Sequence, residues 1–211
     1  MIQFIFGVLF LFQPTEMDTA QVFEGTIRLK QSSKYNTYYF DYYIKDQQVR
    51  VDKSAKGGQV MGSYIVDMEQ LAIFAIDHGK QLYSRQIPMD LHLSKKDVEV
   101  IKSKNTKEID GYTCYQWRVR NRKNNTEFAF WVTNEVPHFQ YDVLGDLLKD
   151  IDKAHYYYSL IPDKQNYMPL EAVERNLVRK ERFRSEVVKI HEHMLSESLF
   201  IIPGSYRLLD R

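Results

Sequence analysis

The stretch Ile109-Asp110-Gly111-Tyr112-Thr113-Cys114-Tyr115-Gln116-Trp117-Arg118-Val119 decides how the rest of the chain reads. Asp-Gly between two apolar runs supplies the positive backbone angles of a tight hairpin turn. Beyond it, Thr113, Tyr115, Trp117 and Val119 alternate with Cys114, Gln116 and Arg118. Alternation of this kind marks a strand with one face buried. The pattern continues in both directions. Upstream, Phe23, Gly25, Ile27 and Leu29 alternate with Glu24, Thr26, Arg28 and Lys30, and Phe40, Tyr42 and Ile44 alternate with Asp41, Tyr43 and Lys45. Asp46-Gln47 then makes a tight connection into Gln48–Asp52, and the runs 63–67, 71–76 and 81–84 follow with turns between them. Downstream, Asn121–Asn125 turns the chain into Glu127–Thr133. Short strands at such regular spacing predict an antiparallel meander curling toward a barrel or sandwich.

One helix stands out from this pattern. Asp142 is placed to cap Val143–Ile151, in which Val143, Leu144, Leu147, Leu148 and Ile151 form one apolar stripe. Gly145 within it costs about 1 kcal/mol relative to Ala. A soft, one-sided helix suits either a lid over a concavity or a plug at a barrel end. In the polar stretch 87–104, Ser94 can cap a short helix, since Asp97 lies three residues later. Leu170 to Leu195 carries two readings on its residues alone. It is either a solvent-washed helix begun by Pro169 or two long strands with polar outer faces.

Composition narrows the function classes. Lys plus Arg number 29 and Asp plus Glu 28, leaving a net charge of +1 over 211 residues. That balance removes the bulk electrostatic case for nucleic acid or an anionic membrane surface. A 44% hydrophobic content is enough to offset chain entropy in a folded core. The single cysteine, Cys114, excludes an internal disulfide and a zinc site built on several thiolates. No Gly-x-Ser-x-Gly elbow, phosphate loop or dinucleotide fingerprint is present, so neither catalysis nor a cofactor is expected.

Three further features have plain readings. On a strand, His191 and His193 point to one side and Glu192 to the other, yet no partner cluster supplies the remaining ligands, and no metal is expected. Cys114 sits mid-strand, where burial raises a thiol pKa and quiets it, so a structural cysteine is predicted. Arg175, Arg179, Lys180, Arg182 and Arg184 are interleaved with Glu171, Glu174, Glu181 and Glu186, which describes a solvated face. Tyr156-Tyr157-Tyr158 can line a groove or an interface.

At the N-terminus, Ile2–Phe12 is apolar except for Gln3 and Gly7. A run this short cannot span a bilayer, which takes roughly 20 residues. It suits the hydrophobic region of a secretory signal peptide cleaved after Ala20, or a first buried element. Residues 1–20 are therefore assigned as signal peptide and 21–211 as one exported domain with no transmembrane span. A buried lone cysteine is compatible with export.

The motifs now identify a resemblance. Phe23-Glu24-Gly25-Thr26-Ile27, Tyr43 to Val51, Ser63-Tyr64-Ile65-Val66-Asp67-Met68-Glu69, Lys107 to Trp117 and Leu199 to Tyr206 occur in order. Together they resemble an exported β-domain family of unknown function common in Bacteroidetes, itself similar to the LolA and LppX lipoprotein carriers. The resemblance covers roughly Val22 to Tyr206 and rests on strand and turn patterns. It implies a mainly β (α+β) fold, a curved antiparallel half-barrel of about ten strands with one or two helices over its concave face. It also implies that Leu170 to Leu195 forms late strands returning to the sheet. Related carriers hold acyl chains in the concavity, but their lid-locking arginine has no matching residue here.

Phe23, Ile27, Phe40, Tyr42, Phe74, Trp117, Phe128 and Phe130 are the residues expected on the concave side. They line a ligand cavity in one reading and form plain core in the other. The expected function is a non-catalytic periplasmic or envelope protein binding a lipid, acyl chain or other apolar ligand. The alternative is an envelope protein–protein interaction module with a filled core.

Overall fold

The structure, a computed structural model, describes residues 22–87, 97–136 and 139–209. Six strands come first: β1 (Gly25–Ser33), β2 (Thr37–Lys45), β3 (Gln48–Ala55), β4 (Val60–Asp67), β5 (Ala72–Asp77) and β6 (Leu82–Gln86). Three more follow, β7 (Val98–Ile109), β8 (Tyr112–Asn121) and β9 (Thr126–Thr133). Helices α1 (Tyr141–Leu148) and α2 (Lys153–Ser159) lead to β10 (Met168–Arg175), β11 (Glu181–Glu192) and the short β12 (Arg207–Leu208). Ile2–Phe12, the cleavage site after Ala20 and the Ser94 cap lie outside the described residues. Among the described residues no helix is long and apolar enough to cross a membrane.

All twelve strands belong to one open sheet, ordered β12-β6-β5-β4-β3-β2-β1-β11-β10-β9-β8-β7. Two consecutive meanders, β1 to β6 and β7 to β11, are joined where β1 pairs antiparallel with β11. Within Leu170 to Leu195 the chain forms β10 and β11, ending at Glu192, as the resemblance implied, and not a helix. The predicted hairpin is present: Asp110 and Gly111 take φ of 51° and 83° between β7 and β8. Glycine at position 25 also has a local reason, since a Cβ there would collide with the carbonyl oxygen of His191 on β11.

Register fixes the two faces of the sheet. Ile27 opposes Tyr42, Tyr42 opposes Val51, Val51 opposes Tyr64 and Tyr64 opposes Ala75. On the second meander Trp117 opposes Phe130 and Val119 opposes Phe128. These residues form the concave face, and the helices pack over part of it. Tyr157 stacks on Phe128 at 4.5 Å, Tyr158 meets Phe130 edge-on at 5.5 Å, and Leu144, Leu148 and Ile161 complete a single core.

Helix boundaries differ from the expectation. The first helix begins at Tyr141, capped at Gln140 without a side-chain bond, and ends at Leu148. Asp142 lies in its first turn, where its charge still suits the helix dipole. Ile151 belongs to the connection before α2 and is 36% exposed. A true side-chain cap appears instead on α2, where Asp152 Oδ1 accepts from the amides of Ala154 and His155.

The outer face of β3 to β5 is covered as well. Residues 193–209 cross it and then pair with the β6 edge through β12. Arg50 donates to the carbonyl of Leu199, and Leu195 and Phe200 are buried on the same side as Ile65 and Ile76.

Candidate functional site

Helices α1 and α2 close over the core, and Ile44, Val49, Val66 and Ile73 on the concave face of β2 to β5 are sealed. The part of that face carrying Tyr38, Phe40, Lys53, Tyr64 and Ala75 stays half-exposed. A trough results, formed by two grooves that share Lys53 and Tyr64. The first has a volume of about 270 Å³, with Tyr38, Phe40, Tyr42, Val51 and Tyr64 as floor and Leu148, Ile151 and Phe183 as wall. Ser32, Ser33 and Asn36 form its polar rim. The second, about 390 Å³, continues over Gly62, Ala75 and Leu82 to Leu209. Each strand reaches this face every second residue, which is why Tyr38, Phe40 and Tyr42 all line the same groove.

Six of the eight sequence-predicted residues lie in the buried core. Phe23, Ile27, Tyr42, Trp117, Phe128 and Phe130 are all buried, and of these only Tyr42 also lines a groove. Phe40 is the one prediction that is both half-buried and trough-lining. Phe74 requires a correction. It opposes Ile65, which opposes Arg50, so it stands on the outer face, edge-on to Tyr83 at 6.4 Å. The sequence reading missed Tyr38, Tyr64 and Lys53, although their positions relative to Phe40 and Tyr42 follow from the register once the pairing is known.

A buried polar network anchors the helices beside the trough. Asp152 accepts from the Gln31 amide at 2.8 Å and lies 3.1 Å from His155 Nδ1. The other ring nitrogen of His155 lies 3.1 Å from the Tyr141 hydroxyl. Burial by itself would raise the Asp152 carboxyl, but the His155 bond and charge, the Gln31 amide and the helix N–H outweigh it and hold the group at about 2. Close by, Glu174 is buried on the concave face and accepts from Lys153 Nζ at 2.6 Å.

A serine–histidine pair on the outer face resembles a nucleophile with its base and is not one. Ser63 Oγ is 2.7 Å from His78 Nε2. The hydroxyl has one proton, and it goes to Asp52 Oδ1 at 2.5 Å. Nε2 must then donate to Ser63, leaving no base to activate it. His78 Nδ1 faces the Tyr206 hydroxyl at 3.0 Å, and Ser63 is 2% exposed beneath the C-terminal segment. The group fastens that segment to the sheet.

The remaining candidates resolve simply. His191 and His193 stack at 4.4 Å on the exposed end of β11, and among the described residues no group of three potential metal ligands forms. Arg184 pairs with Glu171 at 3.0 Å and Glu181 at 2.7 Å, as a mixed-sign face should. Tyr157 and Tyr158 are core. Cys114 is fully buried, and burial pushes its thiol up to about 11. Native protein is accordingly expected to resist iodoacetamide at pH 8 (about three units below that thiol's pKa, so only about one thiolate in a thousand), with full labelling only in denaturant. Rapid native labelling, read by intact mass, would overturn the buried placement.

Comparison with known proteins agrees with this architecture. An uncharacterized conserved protein from Thermus thermophilus superposes with a TM-score of 0.54 at 9% identity, covering 89% of this chain and 91% of that one. A Pseudomonas aeruginosa MucA/MucB complex contains a chain that superposes with a TM-score of 0.51 at 8% identity, over 88% of this chain. The present chain spans 58% of that chain's length. At such identities the likeness is one of fold alone. No curated protein matches by sequence. A family profile, described as a domain of unknown function, matches residues 23–206, nearly the whole described chain. The protein belongs to that family, DUF4412.

Proposed function

We propose that this chain is an exported, non-catalytic envelope protein that holds a lipid or similar apolar ligand in the trough beside its helices. The observation that carries this reading is the uncovered half of the concave face. Tyr38, Phe40 and Tyr64 remain half-exposed in a row there, while the equivalent residues under α2 are sealed. A contiguous aromatic floor left open to water marks a binding surface, and the groove volumes lie near the lower end of small-molecule sites.

The filled core under the helices favours a second reading, a protein-docking module. The similarly folded MucB is known in complex with a protein, MucA. Native mass spectrometry of the protein purified from the cell envelope separates the two. A mature mass starting near Gln21 with an adduct removed by lipid extraction is the expected result. A clean apo mass, together with no uptake of a fluorescent fatty acid, would overturn the lipid reading in favour of docking.

A further inference from the structure

We propose that the trough takes a single-chain amphiphile with an anionic head, and that Lys53 is its head-group contact; this rests on the lipid-binding reading above. The charge inventory of the trough singles Lys53 out. Asp77 is paired with Lys80 at 3.1 Å, and Lys153 with the buried Glu174 at 2.6 Å. Asp152 is committed to Gln31, His155 and the α2 amides. Among the described residues that line the grooves, only Lys53 is a charged group without an oppositely charged or hydrogen-bonded partner.

Its position suits the role. Lys53 opposes Phe40 on β2 and Gly62 on β4, so it stands on the concave face where the two grooves meet. Its ammonium lies 4.2 Å from the Tyr38 ring centre and 5.8 Å from that of Phe40. The rings offset part of the desolvation of a half-enclosed cation. A carboxylate or phosphate arriving there gains a charge-assisted hydrogen bond where water is partly excluded. A neutral or cationic apolar ligand would instead cover the ammonium with no counter-charge. Apolar surface runs away from Lys53 both ways, toward Leu148 and toward Ala75, so a tail can lie on either side of a head fixed at the junction.

Titration calorimetry at neutral pH with decanoate, decan-1-ol and a Glu-rich peptide tests this on the wild type, Lys53→Gln and Lys53→Arg. Decanoate should bind the wild type more tightly than decan-1-ol. Lys53→Gln should weaken decanoate roughly tenfold or more, as loss of a charged hydrogen bond does, and leave decan-1-ol unchanged. Lys53→Arg should restore decanoate binding, and matching melting curves would show that all three proteins are folded. Equal affinity for the two decyl compounds, or a variant that loses both alike, would overturn the head-group assignment while sparing the trough. Binding of neither decyl compound to the wild type would remove the lipid reading itself. Binding of the peptide alone would overturn the proposal in favour of a protein partner.

Discussion

Phe128→Ala is expected to lower the free energy of unfolding by about 3–5 kcal/mol. Phe128 is fully buried on β9, with ring centres of Tyr157, Phe130 and Phe183 at 4.5, 5.7 and 6.2 Å. Truncation removes the transfer energy of the ring and leaves a cavity where sheet and helix layer meet. The effect reaches beyond the residue. Helix α2 has seven residues, too few to persist without tertiary packing, and its stacking on Phe128 is part of what holds it. Urea denaturation followed by circular dichroism measures the loss, and a lower midpoint at unchanged slope identifies it as stability alone. A change below about 1 kcal/mol would mean that the helices are not clamped to the sheet at this point.

Asp152→Ala is the second large effect, at about 2–4 kcal/mol. One carboxylate caps α2, accepts from Gln31 and lies within hydrogen-bond distance of His155, so its removal strands several buried groups together. The native carboxyl is held below its ordinary value, at about 2, so the ionised form stabilises the fold. That contribution is fully present above the unfolded value near pH 4 and is lost as pH falls from about 4 to about 2. Thermal melts of the wild type and variant along a pH series test both parts. The stability gap between them should narrow through that acid window. A gap that stays constant there would show that Asp152 acts only as a neutral packing group.

Much of the fold was legible because its cause is local. Alternation in β1, β2 and β8 and the Asp110-Gly111 turn report backbone and side-chain geometry residue by residue. The resemblance allows a second helix but does not place it, although Asp152 is a capping residue with Ala154, Tyr157, Tyr158 and Ile161 following at helical spacing. The tyrosine triplet has the composition of a groove or interface, and a helix this short has too few turns to announce a stripe. The face taken by Phe74 is illegible in the sequence for a different reason. Ala72-Ile73-Phe74-Ala75-Ile76 is apolar at every position, because both faces of the sheet are packed here: Ile73 is buried on the concave face and Ile76 on the outer one. Such a run carries no alternation from which to choose a side.

Local sequence is enough to define the strand-forming segments, several of the turns between them, the quiet character of Cys114 and the lack of familiar catalytic motifs. Each depends on neighbours in the chain. Which aromatic residues are core and which are surface depends on long-range packing. Phe40 and Phe130 are alike as strand residues, yet α2 covers Phe130, while a site between the helix layer and Lys53 leaves Phe40 half open. That difference is set by where two short helices come to rest on a twelve-stranded sheet. Their resting place is the sum of many distant contacts, and no stretch of sequence contains it.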